Sequence, residues 1–498
     1  MTRPRSAIVI GSGFGGLALA IRLQSAGIAT TVVEGRDGPG GRAYVWRDQG
    51  HVFDAGPTVI TDPDSLRELW ALSGQDMARD VTLLPVSPFY RLLWADGRQF
   101  DYVGDSAGLE AQIAAFDPAD VAGYHRFHDY AEAVYREGYL RLGTVPFLDF
   151  RQMLQAAPAL VRLEAYRSVH SVVARFIRDP HLRQAFSFHT LLVGGNPFST
   201  SAIYALIHAL ERRGGVWFAQ GGTNRLVAGM VALFERLGGT LRLNAPVARI
   251  ETEGARATGV ALASGERIAA DMVASNADVM HSYRDLLAGT RRGRTKAAIL
   301  GRQRWSMSLF VVHFGLDRIP EGLAHHTVLF GPRYRELVNE IFRGPALPEG
   351  FSLYLHSPSV TEPSLAPPGM STHYALAPVP HLGRAAVDWA AEGPAYADRI
   401  LAALEERVIP GLRDHLRVRR IFTPADFAGE LNAHHGSAFS VEPILAQSAW
   451  FRPHNRDRTF RNLYIVGAGT HPGAGIPGVV GSAKATAGVM LADAGSGR

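Results

Sequence analysis

Cysteine is absent from the 498 residues. Disulfide frameworks, thiolate nucleophiles, iron–sulfur clusters and cysteine zinc sites are therefore excluded together, and any redox chemistry must come from a bound cofactor. Lysine is nearly absent: only Lys296 and Lys484 occur, so 49 of the 51 basic residues are arginine, against 46 acids. The arginines are scattered and the net charge of +5 is small for this length, which gives no case for nucleic acid. Uncharged runs able to span a membrane are missing too. The three stretches long enough to test, residues 184–210, 363–383 and 465–483, are broken by histidine and asparagine, by five prolines and by a dense series of glycines. Arg3 and Arg5 precede the apolar residues 7–10, which run into glycines without a cleavage pattern, so the start reads as cytoplasmic.

What is present begins with one βαβ unit. Residues 7–10 form a short buried strand, Gly11-Ser12-Gly13-Phe14-Gly15-Gly16 a glycine turn, and residues 17–25 carry apolar side chains at helical spacing; residues 30–33 form a second strand ending at Glu34. In that context the turn predicts a dinucleotide site. Gly11 permits the tight turn, Gly13 lets backbone approach a pyrophosphate, and Gly16 allows helix to pack on strand. The helix N-terminus holds phosphate charge, and Glu34 accepts from ribose hydroxyls while repelling a 2′-phosphate. A second glycine turn, Gly38-Pro39-Gly40-Gly41-Arg42, and the segment Phe53 to Thr58 point to the longer FAD and not NAD, with Arg42 near the pyrophosphate or flavin.

Farther on, residues 106–213 are helix-rich, with helical spacing at 109–116, 123–138, 150–177 (broken near Pro158) and 202–211. A helix at 225–237 and short strands from 240 to 274 lead to Asn276-Ala277-Asp278. The basic stretch 291–304 reads as a linker or solvated helix, and a strand-rich region runs from 305 to about 425. Residues 463–466 form another buried strand, followed by a glycine-proline loop to Gly478 and a helix over 479–492. The expected fold class is α/β: a Rossmann-type FAD-binding domain assembled from discontinuous segments (1–84, 214–290 and 426–498), a mixed-sheet substrate domain (85–105 and 291–425), and a helical, membrane-associated domain (106–213). His325-His326 and His434-His435 look metal-like, but neighbouring side chains on a strand point to opposite faces, so no metal site is expected.

These stretches together resemble the bacterial phytoene desaturases, flavoproteins related in fold to amine oxidases. The likeness extends over essentially the whole chain, through residues 7–20, 40–63, 191–210, 275–278, 434–450 and 462–489; the run Val466-Gly467-Ala468-Gly469-Thr470-His471-Pro472-Gly473-Ala474-Gly475-Ile476-Pro477-Gly478 is its most specific part. The resemblance implies FAD-dependent desaturation of 15-cis-phytoene to lycopene or neurosporene, with oxygen or a quinone as terminal acceptor. It implies cofactor contacts from Gly11, Gly13, Phe14, Gly15, Gly16, Glu34, Gly41, Arg42, Pro57, Thr58, Val247, Gly469, Ile476, Pro477 and Gly478. A carboxylate that it would place at position 152 is Gln152 here. That leaves Arg151 and Asp149 as catalytic candidates, although Asp149 also suits a helix N-cap.

A hydrocarbon substrate offers nothing for polar side chains to read, so recognition must rest on tunnel shape and apolar area, with residues 186–210 as candidate walls. Residues 150–178 combine apolar positions with Arg162, Arg167, Arg175 and Arg178; the pattern fits an internal amphipathic helix, and an insoluble substrate raises peripheral attachment to the cell membrane as the expectation. Three rivals stay open: an amine-type oxidase, which the shortage of lysine disfavours, a non-catalytic isoprenoid carrier, and an enzyme acting on another polyene.

Overall fold

The computed structural model describes residues 6–496. Arg3 and Arg5 lie outside them. Five parallel strands form one sheet in the order Leu463–Ile465, Met272–Ser275, Ser6–Ile10, Ala29–Val33 and Thr240–Arg242. Its strands come from three separated stretches of chain. Ala7 to Ile10 and Met272 to Ser275 are buried throughout, the mark of parallel strands covered on both faces. Helix α1 (Phe14–Ser25) is buried from Phe14 to Leu23, so it is apolar all round instead of amphipathic, and it packs on the helix Ile476–Ser496.

A second, seven-stranded sheet runs in the order Leu416–Phe422, Ser308–Leu316, Ser371–Val379, Leu353–His356, His326–Leu329, Tyr90–Leu93 and Gln99–Tyr102. Only the pairing of His326–Leu329 with Tyr90–Leu93 is parallel. All nine residues of Ser308–Leu316 are buried. Because side chains alternate, Phe310, Val312 and Phe314 pack beneath the helix Trp389–Arg407, while Leu309 and Val311 face the opposite core. The basic stretch expected as a linker or solvated helix is the helix Arg291–Leu300.

A helical segment contributes Asp120–Tyr135, α2 (Phe150–Arg162), Val169–Phe176 and α3 (Leu206–Gly214), with Asp120–Tyr135 packed on Val169–Phe176 and on α3. The expected break at Pro158 does not occur. Both Pro158 and Leu154, whose carbonyl loses its helical partner, are exposed, so the freed group is on the solvent side and the helix continues to Arg162. Asp149 caps α2 by accepting from Arg151 N–H at 3.0 Å, while Gln152 accepts from Asp149 N–H at 3.3 Å. Gln152 therefore completes a capping box, a use that needs no charge. Among the described residues no helix is long and apolar enough to cross a membrane.

Candidate active site

The first two glycine turns meet back to back. Gly11, at φ +90°, turns the chain out of its strand, and the amide of Gly40 donates to Ser12 O at 3.1 Å. A Cβ on Gly41 would sit 3.5 Å from Gly13 Cα, so both turns present bare backbone to the same space. Beneath them is the side chain of Asn276. A Cβ on Gly15 would stand 2.7 Å from its Oδ1, and one on Gly467 2.5 Å from the same atom. The glycines thus serve packing on Asn276 as well as approach to a ligand. Gly16 is wholly a packing residue: its Cβ would lie 2.1 Å from Gly11 O.

These groups fit an anionic dinucleotide. Helix α1 opens on Gly13 without a side-chain cap and with no acid in its first turn, which leaves its N–H groups and dipole facing the cavity. Glu34 is buried; its Oε2 accepts from Ser12 N–H (2.9 Å) and Ser12 Oγ (2.7 Å), and its Oε1 accepts from Arg36 N–H (3.0 Å). Of about four acceptor positions on a carboxylate, one remains for a ribose hydroxyl. Arg42 Nε and Asp278 Oδ2 are enclosed without partners on the same cavity. Burial lowers the Arg42 guanidinium pKa against the pull of Asp278, and burial raises the Asp278 carboxyl against Arg42. A buried donor and acceptor left open beside bare backbone are what a polar cofactor would complete.

The third wall is the loop between Val466 and Gly478. Buried Arg452 ties it down, donating from Nε to Thr470 O (3.0 Å) and from Nη2 to Ala468 O (2.7 Å) and Val441 O (3.1 Å). Thr470 Oγ1 and Ser482 Oγ share a 2.6 Å hydrogen bond that joins the loop to the helix beyond it. Ile476, Pro477 and Gly478 line the cavity, and so do Gly11, Gly13, Phe14, Gly15, Glu34, Gly41, Arg42, Pro57, Thr58 and Val247. Gly469 does not: its Cβ would meet Val279 at 2.9 Å, and Ala468 takes the cavity-facing place.

From this polar cradle one cavity of about 680 Å³ continues into an apolar compartment. Met153 and Leu160 of α2, Leu191 and Val193, Ile207 and Leu210 of α3, and Leu309 and Val311 of the mixed sheet line it. The expected walls within residues 186–210 are therefore only part of the lining. Polar groups here are few. Thr58 Oγ1 lies 2.8 Å from Tyr374 Oη and 3.3 Å from Tyr354 Oη, and all three residues line the cavity. Glu211 of α3, fully buried, accepts from Tyr90 Oη at 2.7 Å and lies 3.0 Å from His189 Nε2.

Two expectations are corrected. Asp149 and Arg151 are exposed and stand outside the cavity, because capping turns the first residues of α2 toward solvent. The histidine pairs do not share a strand: His325 precedes the strand His326–Leu329, and His435 adopts φ +55° in a tight turn. His325, His326 and cross-strand His356 instead place ring nitrogens within 4.8 Å of one another, an arrangement of donors that could hold an ion. Burial keeps all three neutral, His325 at about 3. Neither lysine lines the cavity; Lys296 lies over the Tyr283 ring and Lys484 binds Glu68 on the surface.

Sequence reading missed Asn276 as the packing centre, Arg452 and Glu211. Arg452 carries no signal among 49 arginines. Glu211 does: it is an acid four residues after Ile207, on a face that a buried helix otherwise keeps apolar. Replacing the ribose acceptor tests the cradle. Glu34→Arg is expected to cost the roughly 1.5–3 kcal/mol of a charged hydrogen bond, a ten- to hundredfold weaker FAD affinity measured by flavin fluorescence. Unchanged affinity would confine Glu34 to holding Ser12 and Arg36.

Comparison with known proteins agrees with this geometry. Residues 14–491 match the family described as flavin containing amine oxidoreductase. A lycopene-forming phytoene desaturase of a Paracoccus species is 76% identical over 98% of this chain and 98% of its own, and another from Pseudescherichia vulneris is 63% identical over 98% and 99%. Among solved structures, the cyclohexylamine oxidase of Brevibacterium oxydans shares the fold, at 17% identity and a TM-score of 0.64 over 98% of this chain and 99% of that one. The cofactor is FAD, and the chain belongs to the flavin-containing amine oxidoreductases, in the phytoene desaturase family.

Proposed function

We propose that this protein desaturates 15-cis-phytoene in successive FAD-dependent steps, with lycopene as product. The observation that carries the reading is the single cavity that joins a dinucleotide cradle to a long apolar compartment. An amine or other polar substrate would need fixed polar partners there, whereas a polyene needs surface: about 25 cal/mol for each Å² of apolar area removed from water. The degree of identity to lycopene-forming relatives supports that product over neurosporene.

Bound FAD supplies the two-electron acceptor. The chain's own residues do the rest. Glycines 11, 13, 15 and 41 with Glu34 and Arg42 hold the cofactor, and Ile476, Pro477 and Gly478 present the start of the last helix to it. Thr58, tied to Tyr354 and Tyr374, lines the same cavity. Met153, Leu160, Leu309 and Val311 exclude water from the reacting carbons. In this reading residues 1–84, 214–290 and 426–498 make the FAD domain, 85–105 and 291–425 the substrate domain, and 106–213 the helical domain.

The helical domain docks on a membrane surface. Helix α2 buries only Ala156; it is a surface helix whose outer side shows Phe150, Leu154 and Val161, at 44%, 58% and 64% exposure. Leu140, Tyr166 and Phe451 are exposed as well, and so are Arg151, Arg162 and Arg167. Met153 and Leu160 reach the cavity from the other side of α2, so this helix is the partition between bilayer and substrate compartment.

Expression in cells that accumulate colourless phytoene is expected to yield the absorption spectrum of lycopene; FAD-loaded protein that leaves phytoene unchanged would overturn the assignment. The wild-type protein is expected to float with anionic vesicles in moderate salt, and L154E/V161E to lose roughly tenfold or more of that binding, from the apolar area withdrawn. A wild-type protein that stays at the bottom of the gradient would rule out docking through α2.

A further inference from the structure

Among the described residues four carboxylates line the cavity, Glu34, Glu211, Asp278 and Glu430. Three belong to the cofactor end: Glu34 holds Ser12, Asp278 caps the helix Val279–Arg284 opposite Arg42, and Glu430 pairs with Arg36. Glu211 alone stands among apolar walls, beside Ile207 and Leu210, with no water-accessible surface. A buried carboxylate is retained against a large desolvation penalty, and among the described residues no Arg or Lys pairs with Glu211. Tyr90 fixes it by donating to Oε1, while Oε2 is left without a hydrogen-bond partner. Tyr102 is the other titratable group whose charge couples to it.

Desaturation makes a demand that matches this group. A hydride leaves one allylic carbon with its electron pair, and the neighbouring carbon must then lose a proton so that its C–H electrons become the new π bond. We propose that Glu211 is the base that takes this proton. The carboxylate becomes a neutral carboxylic acid, the substrate loses two hydrogens in all, and the hydride goes to the oxidant of the established flavin chemistry. His189 Nε2 lies 3.0 Å from Glu211 Oε2 without a hydrogen bond to it, and the Tyr90 hydroxyl keeps Oε1 from rotating away. Until the proton moves, the negative charge of Glu211 also favours the positive charge developing on the polyene.

A rival base exists on the same cavity. His471 lines it and its Nε2 donates to Leu142 O at 2.9 Å. That Nε2 proton is committed to the carbonyl, and burial lowers the ring's pKa to about 4, so it stands neutral beside the cofactor loop. Asp149, exposed at the start of α2, cannot reach the compartment.

The inference rests on the phytoene reading, and its test separates the two. E211Q and E211D holoenzymes are purified from phytoene-accumulating cells and compared with wild type for flavin content, melting temperature, co-purified phytoene and desaturation rate. E211Q keeps the shape and loses the base, so flavin and bound phytoene stay at wild-type levels, the melting temperature is unchanged or higher, and the rate falls roughly 10²- to 10⁴-fold. E211D recovers part of the rate. An E211Q rate within threefold of wild type overturns the proposal, and so does loss of bound phytoene in parallel with activity, which would make Glu211 a packing residue. If H471Q abolishes the rate while E211Q does not, the base is His471. A wild-type protein that never converts phytoene refutes the substrate assignment itself.

Discussion

The structure depends on the close meeting of backbone at Gly13, Gly15, Gly16 and Gly467 around the side chain of Asn276, with the second glycine turn packed on Gly13. Four separate stretches of chain converge there, and a Cβ on Gly15, Gly16 or Gly467 would collide with Asn276 or with Gly11 O. From that contact follow the open N-terminus of α1, the position of the last helix and the empty groove between them. The same contact explains why the parallel sheet must recruit strands from stretches hundreds of residues apart: each strand delivers one edge of the cradle at its C-terminal end.

A second constraint shapes the rest. One cavity has to hold a polar, doubly phosphorylated cofactor and a hydrocarbon, and the two demand opposite linings. The fold separates them by source: turns and loops at strand ends provide donors and charges, while α2, α3 and the inner face of the mixed sheet provide methyl and aromatic surface. Polar atoms that do enter the apolar half are held by one another. Thr58 is tied to two tyrosines and Glu211 to Tyr90, so they keep fixed positions where water is excluded.

The legible part of this arrangement was the part made by short-range chemistry. Glycine turns between a strand and a helix have few physical uses, and thirteen of the fifteen residues expected at the cofactor line the cavity. Gly16 and Gly469 are the exceptions; both are glycines because another element packs on them, which spacing alone does not separate from ligand approach. The expected break at Pro158 failed because helix continuity depends on whether the freed carbonyl lies on the solvent side, a tertiary fact. The histidine pairs misled for a related reason: opposite faces follow only if both residues are in the strand, and His325 is not. Asp149 and Arg151 read as catalytic by analogy and as a cap by chemistry, and the cap prevailed.

The central claim is that cofactor and polyene share one continuous cavity. A crystal structure of the FAD-loaded protein with phytoene bound tests it most directly. The account predicts dinucleotide density along Gly13 and Gly41, continuous with polyene density in the compartment lined by Met153, Leu160, Leu309 and Val311. Polyene density outside that compartment, or a dinucleotide seated away from the two glycine turns, would contradict it.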